Sequence, residues 1–544
     1  MPMSRRTPRL LGGAAALAAA VLLAGCTAAG PSPSKGTKPE LTESLPAPST
    51  EVERLDWALY AEPSSLDPIY PNDFPPMEVL ANVCESLMRI APDFTIEPAL
   101  AESLEQPDPL TLVYTLRDGV TFHSGAPLTA DDVVYSLNRA RSDELGSFHT
   151  AVYANVADIV ATAPNQVTIT LTAPDQTLSQ ALATGAGRIV NRASTEAQGT
   201  EFGTPGSDID CTGPYSLASW RAGEAITLER YDGYWDDSLP SLVAEVDFSF
   251  VRDPAARVNA LLSGEVDGTW GVPASGFARL QGGGQGMLAF GRTSGSYVAM
   301  VTSLDGALAD PRIRQALAMS IDREGIIAAA VAGAADPLDA PASPGTWGFA
   351  REDFERAYQE IADATGGLEE AKALVAEAGA PSETLTIAVT NSQAEMPIIG
   401  AEVQRAAQAI GLEAELTSLP ADGYNALYSD PAARDGIDLI FSLWQTDFPD
   451  PTQIYQYLES DNFFNLSGWS NAEFDQAIDA SRASADDAER AASLIAAQSI
   501  EIDDPTWLPI YTPYNAVFLG KGLTGAPTAA VQLNYPWAAM IGGE

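Results

Sequence analysis

Positive charge is what this sequence has least of: 29 lysines and arginines stand against 73 aspartates and glutamates, a net charge of −44. Such a surface repels phosphate backbones and anionic headgroups, which excludes nucleic-acid binding; its ordinary consequence is solubility of an exported protein. Histidine is scarcer still. The only two, His123 and His149, have no metal-ligand spacing and no clustered thiols beside them, so no metal and no cofactor is expected. Catalytic motifs are also missing. No G-x-S-x-G, H-E-x-x-H or P-loop occurs, and Gly282-Gly283-Gly284 lacks the Lys-Ser/Thr of a phosphate loop, so no catalytic residue is assigned. The paired acids Asp447 and Asp450 keep a cell-surface hydrolase as a distant alternative. Past Cys26 no apolar run approaches the ~20 residues of a bilayer crossing.

What is present begins with a targeting signal. Arg5, Arg6 and Arg9 precede an apolar stretch from Leu10 to Ala24 that is too short to span a bilayer stably and has the charge pattern of a secretory signal. It closes on Leu23-Ala24-Gly25-Cys26, which resembles the bacterial lipobox and makes Cys26 the expected lipidation site. Residues 1–25 then read as a lipoprotein signal peptide and 26–50, rich in Pro, Ser, Thr and Gly, as a flexible tether. The lipid would be the only membrane anchor, holding the protein on the outer face of the cell membrane. Cys84 and Cys211 remain, in a compartment that permits disulfides. An even remainder favours pairing; two buried free thiols are the alternative.

The body is long enough for roughly two to four domains. Val52 to Tyr60 reads as a strand and Pro76 to Leu87 as a helix. Thr111 to Leu116 and Thr121-Phe122 read as a hairpin closed at Gly119. Thr129 caps a helix, with Asp132 completing a capping box and Val133, Leu137 and Ala140 on its apolar face. Strands follow near Val167, Ala225 and Val243, and a helix runs from Arg252 to Leu262, ending near Gly264. From Ser296 onward strands and helices alternate: strands at Ser296 to Ser303, Leu385 to Val389, Leu439 to Trp444 and Trp507 to Tyr511, with helices between. That alternation predicts a parallel or mixed sheet covered by helices, before an irregular C-terminal end.

One stretch joins structure to chemistry. Leu439 to Trp444 is a short apolar run of the kind buried on both faces of a sheet, and Pro449 and Pro451 stop it. The chain must leave as a stiff loop carrying Asp447, Phe448 and Asp450. A carboxylate past a buried strand end, beside aromatic rings, suits a cationic small molecule; an acid facing only water at a capped strand end is the alternative.

Four motifs stand in order along the chain: Glu62-Pro63-Ser64-Ser65-Leu66-Asp67-Pro68, the stretch TLRDGVTFHSGAPLTADDVVYSLNR from Thr115 to Arg139, Cys211-Thr212-Gly213-Pro214-Tyr215, and DPRIRQALAMSIDREGI from Asp310 to Ile326. Together they resemble the peptide-binding class of bacterial extracytoplasmic solute-binding proteins, the receptors of oligopeptide, dipeptide and nickel ABC importers. One departure is Val301-Thr302, where members often carry Asn. The resemblance implies an α/β, periplasmic-binding-protein-like fold: two lobes joined by a two-strand hinge, with an extra subdomain in the first lobe. It places the first lobe at 51–303, the second at 304–506 and a return to the first at 507–544. It further implies a monomer that captures a peptide or other small solute and passes it to ABC permease subunits, with an oligosaccharide or other nutrient as the alternative cargo. Asp447 falls where such proteins hold a peptide's α-ammonium. Trp444, Trp270 and Tyr297, with Tyr60 and Phe448, are the rings expected at the ligand, core or hinge packing being the alternative for each. His123, inside the second motif, is expected to make a structural hydrogen bond.

Overall fold

The computed structural model describes residues 38–544 apart from Asn72 and Thr365. The signal segment, Cys26 and the first part of the expected tether lie outside the described residues. Two main sheets organise the rest. A seven-stranded mixed sheet runs Gly286–Gly291, Asn515–Gly520, Gly268–Thr269, Val52–Leu59, Val243–Phe250, Ala225–Arg230, Tyr215–Arg221. A six-stranded mixed sheet runs Ala335–Pro337, Trp507–Pro513, Ser296–Val301, Leu439–Trp444, Leu385–Thr390, Ala414–Leu419. Each sheet is the spine of its own hydrophobic core, so the chain forms two lobes. A four-stranded antiparallel sheet, from Ala101 to Leu171, shares the first core and forms the added subdomain.

Local rules account for the helices that cover these sheets. The helix Ala130–Ala140 starts on the Thr129–Asp132 capping box and buries Val133, Leu137 and Ala140. Pro311–Ser320 starts where Asp310 accepts the Arg312 backbone N–H at 2.9 Å, with Pro311 in the first turn and Ile313 and Leu317 buried. The motifs also brace one another. Arg139 of the second donates to the Asp67 carboxylate of the first, at 2.6 Å to Oδ2. Gly213 of the third lies against the helix Phe74–Val83 so closely that a Cβ would sit 2.6 Å from the carbonyl oxygens of Asn82 and Val83.

Cys84 follows that helix and is joined to Cys211 by a disulfide, across a sequence separation of 127. In the chain-entropy account a loop of that size is worth about 4 to 5 kcal/mol. Reduction, or replacement of both cysteines by alanine, is expected to lower the unfolding free energy by about 2 to 5 kcal/mol, read from urea melts with and without reductant. In the denatured, unreduced protein neither Cys84 nor Cys211 should label with maleimide.

Four expectations differ from the structure. Thr121-Phe122 does not pair with Thr111–Leu116; that strand lies between Ala101–Asp108 and Gln166–Leu171, and Thr121 closes its own turn against Pro127. The expected tether is too long. From Lys38 to Thr50 the chain follows the first lobe through Thr42 N–H to Phe290 O, Leu45 N–H to Ala526 O and Ser49 N–H to Gly543 O. The C-terminal end is not irregular, because Asn515–Gly520 is a buried strand of the first sheet. Finally, Ser296–Val301 and Trp507–Pro513 are paired inside the second sheet, so the chain changes lobe just before Ser296 and just after Pro513 rather than at 303.

Candidate functional site

Asp447 stands on the loop that leaves the second sheet beside both crossings. The strand Leu439–Trp444 ends as its last residue pairs with Ser296, and Ser294 then clamps the loop: its Oγ donates to Thr446 O at 3.1 Å and accepts the Thr446 N–H at 3.2 Å. Gln453, six residues on, accepts the backbone N–H of Asp447 at 2.7 Å and that of Phe448 at 3.2 Å, and its amide faces Asp447 Oδ2 at 3.4 Å. The Asp447 carboxylate is exposed to solvent, yet it sits deep enough in the protein's mass that burial raises its pKa above the ordinary aspartate range, opposed by the Gln453 hydrogen bond. A group reached by solvent but surrounded by protein is a cleft group.

Asp450 has the opposite fate. It is 0% exposed and accepts from Thr452 N–H at 2.8 Å, from Gln180 Nε2 of the first lobe at 2.7 Å and from Arg490 of the second. Arg490 in turn lies over the Phe349 ring at 4.0 Å. With its oxygens engaged from both lobes, Asp450 is a lobe-to-lobe fastener. A second crossing contact, Gln176 N–H to Arg482 O at 3.0 Å, lies on the same side.

The expected rings divide by surroundings. Trp444 is half-buried in an aromatic cluster of the second lobe, 4.6 Å from Tyr457, 5.0 Å from Phe464 and 5.1 Å from Trp507. Tyr457, whose hydroxyl is pushed up to about 12 by burial and by the Asp447 charge, places that cluster beside the carboxylate. Phe463, 64% exposed, extends it to the surface through Phe464 at 5.1 Å. Phe448 crosses over and is buried in the first lobe's core, facing Ile90, Phe94 and Val531 around a small cavity it shares with Asp447. Trp270 is 4% exposed and locked in the first lobe between Trp57 at 5.7 Å and Trp537 at 5.8 Å. Tyr297 is 2% exposed and stacks on Tyr511 at 4.8 Å. Tyr60 is exposed at the first lobe's strand end and donates its hydroxyl to Asp73.

Behind Tyr60, Glu78 is pushed up to about 8 by burial, against the pull of Arg257 and of the Trp57 indole. The folded state therefore binds this proton more tightly than the unfolded chain, and stability contributed here falls as pH rises from about 4.5 through about 8. The Glu78→Gln variant should show a flatter Tm between pH 5 and 8 than the parent; an unchanged slope would mean that Glu78 is ionised throughout. Glu85 at about 7 and Glu501 at about 8, raised by burial in the same way, keep some slope in the variant.

Both histidines make backbone hydrogen bonds, His123 with Gly213 O at 3.0 Å and His149 with Pro68 O at 3.2 Å. Among the described residues no group of three His, Cys, Asp or Glu is placed to hold a metal ion, and no helix is long and apolar enough to cross a membrane. Two larger cavities are not lined by Asp447: one of about 340 Å³ beside both crossings, lined by Arg292, Thr512 and Trp347, and one of about 560 Å³ among the second lobe's helices, lined by Met319, Glu370 and Gln498.

The model of the bacterial extracellular solute-binding proteins, family 5 (Middle) matches residues 95–465. The chain belongs to this family. Its members are solute-binding proteins, and this member has relatives across its whole length. The dipeptide-binding protein DppE of Bacillus subtilis is 26% identical, with 98% of this chain and 99% of that protein covered. The glutathione-binding protein GsiB of Escherichia coli O1:K1 is also 26% identical, over 85% of this chain and 89% of its own. In fold, the ABC transporter substrate-binding protein CtaP of Listeria monocytogenes superposes with a TM-score of 0.79 at 22% identity, covering 91% of this chain and 100% of its own.

Sequence reasoning passed over Gln453 and Tyr457, which position and flank the Asp447 carboxylate in this family member. Gln453 lies within one turn of the loop, and Q at that distance from an exposed acid was the available signal. For the first-lobe residues that reach the second lobe, Gln176 and Gln180, no local signal exists.

Proposed function

We propose that this protein is the substrate-binding component of an ABC importer, capturing a short peptide between its two lobes and delivering it to the membrane permease. The observation that carries the reading is the contrast within one loop. Asp450 is saturated by Gln180 and Arg490, whereas Asp447 keeps an open carboxylate in the cleft, held in place by Gln453. A cation is the partner such a group lacks, and an α-ammonium is the cation every free peptide carries. The Trp444, Tyr457 and Phe464 cluster offers an apolar wall beside it for a side chain. The names of the dipeptide- and glutathione-binding relatives are consistent with this cargo. Trp270, Tyr297 and Phe448 are buried in the cores, and Tyr60 is exposed on the first lobe.

Function then follows from population shift. A ligand touched by both lobes has its full contacts only in the closed state, so binding favours closure, and the closed pair of surfaces is what a permease recognises. The protein acts as a monomer tethered by lipid on Cys26. Replacing Cys26 by Ser should release it from the membrane fraction into the soluble one, read by fractionation of expressing cells; retention would overturn the anchor. Native mass spectrometry of the purified protein identifies any co-purified ligand. A thermal-shift screen over peptides and cello-oligosaccharides should raise Tm with peptides bearing a free N-terminus. A rise with oligosaccharides alone would overturn the peptide reading.

A further inference from the structure

The cavity of about 340 Å³ beside the two crossings is lined from both lobes and is not part of the Asp447 site. Its volume lies within the range of about 300 to 1,000 Å³ of ordinary small-molecule sites. Its walls are fixed by packing. Trp347, 6% exposed, stacks on Phe354 at 6.1 Å and meets the edge of Tyr358 at 5.5 Å. The turn before it is pressed onto the first crossing, so that a Cβ on Gly345 would sit 1.9 Å from Thr293 O. Thr293 in turn donates its hydroxyl to Pro513 O at 2.7 Å and ties the first crossing to the second.

The charges in this cavity are unevenly matched. Of the two lining acids, Asp336 is spent: it accepts the Tyr514 hydroxyl at 2.8 Å and pairs with Lys38. Glu355 is exposed, one helical turn after Arg351. The two lining cations come one from each lobe. Arg292 follows the first-lobe strand Gly286–Gly291, its carbonyl accepting the Ala530 N–H at 2.9 Å, and Arg351 opens the second-lobe helix Arg351–Ala364. Among the described residues neither guanidinium forms an ion pair or donates a hydrogen bond, in a chain with 73 acids. Asp93 of the first lobe, held below the usual aspartate range chiefly by the Thr95 hydroxyl, also feels Arg351 across the lobe boundary without pairing with it. Two like charges at one cavity repel, and a guanidinium fork is built to pair with the oxygens of a carboxylate or phosphate.

We propose that this cavity is a second ligand site, taking a small dianionic oxyanion, a phosphate or a dicarboxylate, between Arg292 and Arg351. Its preference is opposite in sign to that of Asp447, so the two sites do not compete for one ligand. An anion gripped from both lobes stabilises the lobe arrangement in which Gln180 reaches Asp450 and Asn534 reaches Asp447 O. It therefore favours cargo binding, and cargo favours the anion by the same factor. That coupling rests on the peptide reading above; the site itself does not. An Arg351–Glu355 pair along the helix is the internal competitor.

The test is isothermal titration of the full-length protein with inorganic phosphate and with succinate, at a constant ionic strength of about 0.15 M held with sodium chloride. The parent should bind at least one of them at one site, and their ratio identifies the headgroup. Arg292→Gln and Arg351→Gln should each weaken that binding about tenfold, the size of one charge-assisted contact, with Tm in chloride unchanged because both side chains are exposed. Glu355→Gln should tighten it roughly twofold by removing the competitor; a weakening would mark a cation site and overturn the proposal. Saturating anion should tighten trialanine binding about fivefold in the parent and leave it unchanged in both arginine variants. No binding of either anion by the parent, or binding that both arginine variants retain, overturns the site. Trialanine affinity indifferent to the anion overturns the coupling alone. A parent that binds the anion and no peptide overturns the peptide reading and leaves this site standing.

Discussion

Replacing Asp447 by Asn is expected to weaken binding of a peptide with a free N-terminus by roughly 100-fold, close to the 2 to 5 kcal/mol typical for removing one member of a desolvated charge pair. The side chain keeps its shape and its Gln453 partner but loses the charge that an ammonium needs. Isothermal titration against one peptide series measures it, and an unchanged affinity removes Asp447 from the site. The same carboxylate predicts a pH dependence with a definite sign. Because burial raises its pKa, Asp447 takes up a proton as pH falls while ordinary aspartates are still ionised. Affinity for an ammonium ligand should therefore decline on acidification earlier than a surface aspartate would allow, and Asp447→Asn should abolish that dependence. A neutral sugar accepting only hydrogen bonds would show neither effect.

The second large effect belongs to Asp450 and Arg490. Arg490→Met is expected to cost about 3 to 5 kcal/mol of unfolding free energy, since it strands a fully buried carboxylate with only Gln180 and one backbone N–H. Urea melts of parent and variant read it directly, and a loss below ~1 kcal/mol would mean that Asp450 finds water or a proton instead. Gln180→Ala removes only the first-lobe half of the arrangement. It should leave the fold intact and shift the unliganded protein toward the open form, seen as a larger radius of gyration in solution scattering. An unchanged radius would assign the pair to the second lobe's stability alone.

Much of the architecture is written locally. The capping box at Thr129 and Asp132, the Asp310-Pro311 helix start and the apolar run Leu439 to Trp444 each carry their own instruction, because capping and burial periodicity act over a few residues. Where instruction is non-local, reading by composition stops short. Lys38 to Thr50 looks like linker because it has no apolar period, but its order comes from backbone hydrogen bonds to Phe290, Ala526 and Gly543 and from the single buried side chain of Leu45, none of which makes a local pattern. Asn515–Gly520 is buried along almost its whole length and has no alternation to mark it.

By itself the sequence determined that a strand must end near Trp444 and that a stiff loop must present Asp447, Phe448 and Asp450, because two prolines forbid anything else. It determined an acidic body and four ordered motifs. Only the tertiary structure decided which acid is open and which is spent: Asp450 meets Gln180, 270 residues away, and Arg490, 40 residues away, whereas among the described residues the Asp447 carboxylate has a hydrogen bond only from the nearby Gln453. It likewise turned Trp270 into core by bringing Trp57 and Trp537 around it. The physical reason is the same in each case. A side chain's chemistry is set by the charges and rings that surround it, and for these residues the neighbours come from distant parts of the chain.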